Sequence, residues 1–317
     1  MATDKKDGQR IVSSKSSWQP NIVARWFMRV VIMLPMPVLA MLGRGLGTLF
    51  YVFDKKRGHY ADINLRICFP ELDNKAIKRL RLAHFRALGQ SLMCTLGLTW
   101  FRPKARLQKY LTIEGEENII EQQKAGNNII IMAPHFVGLE LAWAWLSMTQ
   151  PMVGMYREPR KNIFHWAIDL RRTQFGGIAV EAQAHMKSLI KMIRDGKPFF
   201  YLPDIDPGKT GRYTFAPFFG RPAATWTALG RIGTMTKASI IPCIVRQDES
   251  GHYTIQFLPA LSDYPSGNEL EDATALNQLV ETAIRKMPEQ YFWIHRRFKT
   301  RPEGEASIYG SGRKGYK

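Results

Sequence analysis

Beyond residue 110 the chain alternates short apolar runs with longer amphipathic stretches, and this alternation constrains the fold more than any other feature. The apolar runs are 128 to 133 (NIIIMA), 152 to 156, 198 to 202 (PFFYL), 239 to 246 (SIIPCIVR) and 253 to 258. Each is too short for a stable helix and rich in Ile, Val or Phe, the pattern of a buried strand. Between them, helical spacing appears near 137–148, 162–174, 184–194, 225–236 and 271–287. Strands separated by helices predict an α/β fold, a mixed sheet flanked by helices.

The N-terminal part reads differently. Residues 1–20 are polar and Ser/Lys-rich, and predict a flexible tail. From Trp26 to Phe53 the only charges are Arg29 and Arg44, and the run Val30 to Gly43 is apolar, interrupted only by Pro35 and Pro37. That run is shorter than the ~20 residues of a standard spanning helix. Basic residues flank it on both sides, Arg25 and Arg29 before and Lys55, Lys56 and Arg57 after, so charge gives no orientation. A tilted span, an in-plane helix with snorkelling arginines and a buried helical hairpin all fit this stretch. Tyr60 to Trp100 predicts a helical pair, broken at Phe69-Pro70 and restarted after Asp73; its segment AIKRLRL (76–82) interleaves basic and apolar residues. The division expected is a flexible tail (1–20), a membrane anchor (21–57), a catalytic unit (58–305) made of a helical annex (58–110) and an α/β core (111–300), and a disordered tail (306–317).

Composition narrows the partners. With 45 basic against 27 acidic residues the chain carries a formal charge of +18, which favours anionic surfaces such as phospholipid headgroups, lipid phosphates, nucleic acid or an acidic protein. Nucleic-acid binding would need aromatic or helical readout motifs, and none is found, so a basic nucleic-acid-binding or membrane-surface protein without catalysis is the weaker reading. The three cysteines, Cys68, Cys94 and Cys243, lie far apart in apolar surroundings and predict neither a disulfide framework nor a CxxC site.

The run NNIIIMAPHFVGLELAWAWL reads as a buried strand, a turn at Pro134-His135, then a helix. His135 thus falls at the carboxyl end of a strand, where α/β sheets place their ligands. Glu140 follows in the first turns of the helix, within reach of the imidazole; a carboxylate on one ring nitrogen makes the other a better general base toward an alcohol. The spacing alone is weak: with 7 His and 27 acidic residues, a His-x4-Asp/Glu match arises by chance in roughly every other such sequence. The location after four apolar residues is what favours chemistry over packing. Arg157 ends another strand, and Arg171 and Arg172 follow on the next helix; an arginine at such a place binds phosphate or stabilises developing negative charge. Asp204, Asp206 and Lys209 follow the PFFYL strand, where they fit the orientation of catalytic groups or the binding of a polar substrate. Pro207-Gly208-Lys209-Thr210 is not a phosphate loop, because Pro203 stands where that motif needs glycine. No third ligand accompanies Asp204 and Asp206, so no metal site is expected. Phe215 to Phe219 suits either an acyl-chain wall or ordinary core. No Gly-x-Ser-x-Gly elbow appears, which disfavours a covalent acyl-enzyme.

These residues, taken with longer motifs, resemble the late acyltransferases of lipid A biosynthesis, within the wider His-x4-Asp/Glu acyltransferase superfamily. The resemblance runs from about residue 21 to 305. It is carried by HFVGLE (135–140), MYR (155–157), YLPDID (201–206), FAPFFG and PAAT (215–225), IIPCIV (240–245) and PEQYFWIHRRFKTRPEG (288–304). The resemblance implies that His135 is the general base and Glu140 its partner, that Arg172 and Asp204 complete the catalytic set, and that Arg157 touches donor or acceptor. It implies an acyl carrier protein thioester as donor, a Kdo-bearing lipid A precursor as acceptor, no cofactor, and a place on the cytoplasmic face of a Gram-negative inner membrane among its phospholipids. A glycerolipid acyltransferase acting on lysophosphatidic acid is the nearest alternative.

Overall fold

The computed structural model describes residues 21–99, 104–156, 175–181, 186–208 and 211–310. Four helices come first: α1 (Ile22–Ile32), α2 (Met36–Phe53), α3 (Lys55–Cys68) and α4 (Asn74–Thr99), followed by the short α5 (Lys104–Lys109). The core then runs β1 (Leu111–Glu114), α6 (Glu116–Lys124), β2 (Asn128–Met132), α7 (Leu139–Thr149), β3 (Val153–Tyr156), β4 (Ile178–Glu181), α8 (Met186–Arg194), β5 (Phe199–Tyr201), β6 (Tyr213–Phe218), β7 (Arg221–Trp226), α9 (Ala228–Thr236), β8 (Ala238–Gln247), β9 (Tyr253–Phe257) and α10 (Glu269–Lys286), closing with a 3-10 turn at Pro288–Gln290.

Seven strands form one sheet in the order β1-β9-β8-β2-β5-β3-β4. All neighbours are parallel except β8 and β9. The mixed sheet and helical N-terminal region agree with the sequence. The centre is β2, NIIIM, whose last four residues are buried because helices cover both faces. Its two neighbours, β5 and β8, run parallel to it, so the carboxyl ends of β2 and β5 lie side by side.

The five strands read from apolar runs are present within one or two residues; β1, β4, β6 and β7 are additional. β6 and β7 form a separate antiparallel hairpin, Tyr213↔Trp226 to Phe218↔Arg221, so the helix expected from residue 225 starts at Ala228 instead. Phe218 and Ala216 are fully buried, Phe218 against Tyr291 and Phe298. Ala216 and Phe218 of the FAPFF segment are therefore core packing, while Pro217 is exposed. The helix expected over 162–174 falls outside the described residues.

Two further findings concern the ends. The expected helical pair appears as α3 and α4, with Asp73 Oδ1 accepting from Ala76 N at 2.6 Å where α4 begins. Tyr309, expected in a disordered tail, is 6% exposed, and its hydroxyl bonds Asn64 while accepting from Phe298 N. An aromatic ring with a polar tip docks there because both parts find a partner, which the Gly-rich composition conceals.

Within the 21–57 stretch, α2 packs along α4 through glycines. A Cβ added at Gly47 would stand 2.1 Å from the Phe85 carbonyl oxygen, and one at Gly89 2.2 Å from that of Gly43. Only bare backbones permit so close a crossing. Gly47→Leu is expected to lower stability by about 3 kcal/mol, the upper end of overpacking costs. Thermal unfolding in mild detergent measures this, and an unchanged midpoint would mean that the crossing tolerates a side chain.

Candidate active site

The turn after β2 carries His135, and three sets of bonds hold its backbone. Ala133 N donates to Tyr201 O at 2.9 Å, Val137 N to Gln290 O at 2.8 Å, and Phe292 N to His135 O at 3.0 Å. The turn is thus clamped between the end of β5 and the segment after α10. Gly138, at φ +83, lets it swing into α7. A Cβ there would meet the Tyr253 ring at 2.7 Å, so glycine is required twice over.

Asp204 reaches the same turn from β5. It is 3% exposed, and its carboxylate accepts twice from one residue: Oδ2 from His135 N at 2.8 Å, and Oδ1 from His135 Nδ1 at 2.6 Å. Burial pushes this carboxyl up, but the charge and hydrogen bonds of His135 outweigh burial and bring it down to about 2. An ionised carboxylate only accepts, so Nδ1 carries a proton, and in the neutral form of the ring Nε2 holds the lone pair of a base. The sequence assigned the imidazole to Glu140; in the structure Nδ1 is taken by Asp204. Adjacency of β2 and β5 produces that pairing, and chain spacing does not reveal adjacency.

Beside the pair lies a groove of about 320 Å³, between α4 and the His135 turn. Leu88, Leu92, Leu139, Leu202 and Phe292 give it apolar walls, and His135 and Glu140 line it together. Glu140 is half-buried in the first turn of α7, where the helix dipole favours its negative charge. The Phe292 ring stands 6.2 Å from that of His135 and stacks on His295 at 6.1 Å. The α4 residues and Phe292 are site residues that the sequence did not single out. PEQYFWIHRRFKTRPEG was the available signal, an aromatic and basic run far from any strand end.

Asp206 has a different place. Its oxygens accept from Thr300 N and Thr300 Oγ1, both at 2.8 Å, and from Gly208 N at 2.9 Å. It ties the loop after β5 to the C-terminal segment. Arg157, Arg171, Arg172 and Lys209 lie outside the described residues. The cysteines are buried, and burial pushes Cys68 and Cys243 well up and Cys94 up to about 12, so none offers a thiolate.

Behind the pair the C-terminal segment buries several polar groups. Burial first, and then the neighbouring Asp204 carboxylate, push the Tyr291 hydroxyl well up. Burial lowers His295 and His84 to about 4; each rests Nδ1 on a backbone carbonyl, of Phe292 and Glu289 respectively, and keeps Nε2 sealed from solvent. Both rings fold neutral. An unfolded chain protonates them near 6.5, so their stabilisation is complete above that pH and is lost as pH falls toward 4. The loss is on the order of 3 kcal/mol for fully buried His84, and less for half-buried His295. Asp204 adds its own loss only below its ordinary range, as pH falls through about 2. Urea unfolding between pH 7 and 4 is expected to show this decline, flattened in His84→Asn; a level wild-type profile would remove both rings from the account.

Comparison with known proteins gives the family. The model of the bacterial lipid A biosynthesis acyltransferase family matches residues 12–300. Among similar proteins, the lipid A biosynthesis palmitoleoyltransferase of Escherichia coli is 31% identical over 302 residues, 93% of this chain and 97% of the relative. The lauroyltransferase of the same organism is 33% identical over 282 residues, 88% and 91% of the two chains. The myristoyltransferase is 30% identical over 275 residues, 86% and 83%. Because that model matches most of the chain and these relatives, 30–33% identical, cover 86–93% of it, this chain belongs to the bacterial lipid A biosynthesis acyltransferase family.

Proposed function

We propose that this protein transfers a fatty acyl group from an acyl carrier protein thioester to the hydroxyl of a 3-hydroxyacyl chain on a Kdo-bearing lipid A precursor, at the cytoplasmic face of the inner membrane. Acyl transfer to a lipid A precursor follows from the family. The observation that carries the chemistry is the His135–Asp204 pair at the edge of an apolar groove.

His135 Nε2 takes the proton of the acceptor hydroxyl as its oxygen attacks the thioester carbonyl carbon. Asp204 stabilises the imidazolium that forms and fixes the ring's tautomer. The tetrahedral adduct collapses with cleavage of the C–S bond, and the imidazolium returns its proton to the departing thiolate. A thioester already has a good leaving group, so the step needs no covalent acyl-enzyme. The groove walls from α4 and Leu202 suit the hydrocarbon tail. Glu140 completes the polar end of the groove. Arg172 is read as a further member of the catalytic set, and Arg157 and Lys209 as contacts to the anionic parts of donor or acceptor. The charge of +18 fits partners that are all acidic: carrier protein, lipid phosphates and membrane surface.

The test is an in vitro transfer assay with acyl carrier proteins loaded with chains of several lengths. His135→Ala and Asp204→Asn are expected to lose about 10²–10⁴-fold in kcat, the usual worth of a general base and its support, with unfolding midpoints still cooperative. Glu140→Ala is also expected to lose turnover. Full activity in a clean His135→Ala preparation would end the assignment, and turnover with lysophosphatidic acid but not with lipid A precursor would move it to the glycerolipid enzymes.

A further inference from the structure

The helix α2 is, by length and composition, able to cross a membrane. Its attachments argue otherwise. Halfway along it, Arg44 Nη2 donates to Glu249 O at 2.9 Å and Arg44 Nη1 pairs with Glu249 Oε2 at 3.4 Å, in the turn between β8 and β9. At the same level Arg86 Nε of α4 donates to Thr48 Oγ1 at 3.1 Å, and Gln90 Nε2 donates to Asp248 O. Gly43 and Gly47 lie against the α4 backbone. The turn before α2 is fixed as well, since Arg106 of α5 donates to Leu34 O at 2.8 Å.

A helix of 18 residues is about 27 Å long, close to the ~30 Å of a bilayer's hydrocarbon core. Were α2 to cross, its midpoint would fall at the bilayer centre. It would bring Arg44, Arg86, Gln90 and the β8–β9 turn with it, including Glu249, whose side chain is 92% exposed. Ionised groups at that depth are costly, by several kcal/mol each at the centre of a helix. The contacts that hold α2 to the catalytic unit are thus incompatible with a span.

The outer face of α2 is nonetheless apolar. Met41, Leu49, Val52 and Phe53 share one side of the helix, opposite Gly43 and Gly47, and Phe53 is 76% exposed. On α1, Ile22 and Val23 are each 71% exposed, with Trp26 and Val30 beside them. Of the sixteen large hydrophobic side chains exposed among the described residues, eleven are on α1, α2 or the turn between them, and the other five are scattered. So dense a patch marks an interaction surface. Cations border it: Arg29 is exposed on α1, and Lys55 and Lys56, both exposed, open α3 after the capping Asp54. Apolar side chains flanked by cations match the interface of an anionic leaflet.

We infer that α1, whose 11 residues reach only about 16 Å, and α2 lie in the plane of the membrane, seated in one leaflet of an anionic bilayer, and that neither crosses it. This rests on the membrane association proposed above, and its test reads topology without reference to activity. Single cysteines are placed at Ala2→Cys and Lys56→Cys in the full chain, where the native cysteines are buried. A membrane-impermeant maleimide is applied to intact spheroplasts and to lysed ones. In-plane seating predicts that both sites stay unlabelled until lysis; labelling of Ala2→Cys alone in intact cells would show a crossing and overturn the inference. The second arm uses purified protein and vesicles of phosphatidylethanolamine with phosphatidylglycerol. Leu49→Glu with Phe53→Glu is expected to reduce co-sedimentation at least tenfold without moving the unfolding midpoint. Unchanged co-sedimentation would overturn the membrane seat, as would crosslinking of α2 faces between two copies. A failure of His135→Ala to lose activity would leave both arms untouched.

Discussion

Asp204 accepts two hydrogen bonds from a single residue, one from the His135 backbone and one from its ring. The first fixes where the turn after β2 sits, the second fixes which face of the imidazole carries a proton. A carboxylate 3% exposed to solvent would ordinarily resist ionisation. Here the same two donors that orient the histidine also hold the charge, so position and electrostatics are one interaction. The arrangement requires β2 and β5 to be neighbours, and the parallel register Met132↔Tyr201 brings their carboxyl ends level. Everything chemical in the molecule is built outward from those two strand ends.

Two other elements make the pair usable. The segment after α10 supplies Gln290 and Phe292 to clamp the His135 turn by backbone bonds, while buried Arg297 fastens that segment to β7. Arg297 Nη1 donates to Ala224 O at 2.7 Å and Nη2 to Thr225 Oγ1 at 3.0 Å, and its guanidinium lies over Phe218. The fit of an arginine into so dry a place depends on those acceptors, since an unpartnered charge there would be strongly destabilising. The second element is α4, which presents Leu88 and Leu92 to the groove and the backbone of Gly89 to α2.

How much was legible in the sequence follows from these distances along the chain. The strand β2 and the turn bearing His135 were legible because apolar run, turn and helix are consecutive, and local pattern is what sequence reading sees. Asp204 was legible as a polar residue at a strand end, but its partner was not: the bond spans 69 residues and depends on strand order, which no periodicity records. Glu140 was paired with the imidazole because it is near in sequence, while the contact to Nδ1 comes from a distant segment that strand order brings alongside. The hairpin β6–β7 was missed for another reason. Its FAPFF and PAAT halves alternate poorly, since only Ala216 and Phe218 of the first and Ala223, Ala224 and Thr225 of the second are buried. The tail near Tyr309 was read from glycine content, whereas one docked aromatic decides its order.

The role of α4 joins the chemical and the membrane readings. A base that activates a lipid hydroxyl would activate water equally well, so the pair gains selectivity only from where it is held. Leu88 on the groove side and Gly89 on the α2 side are consecutive residues, so groove and apolar face are separated by α4 and α2 together, about 20 Å for two helix widths. With α2 lying in the leaflet, the crossing of Gly43 and Gly47 on Gly89 sets how high His135 stands above the lipid. On the proposed function, a hydroxyl on an acyl chain near the headgroup would then reach the base with little exposure of hydrocarbon to water, while a carrier-bound thioester would arrive from the aqueous side. On this argument the three glycines matter to the reaction although none touches substrate, because they fix the distance between two surfaces that must be served at once.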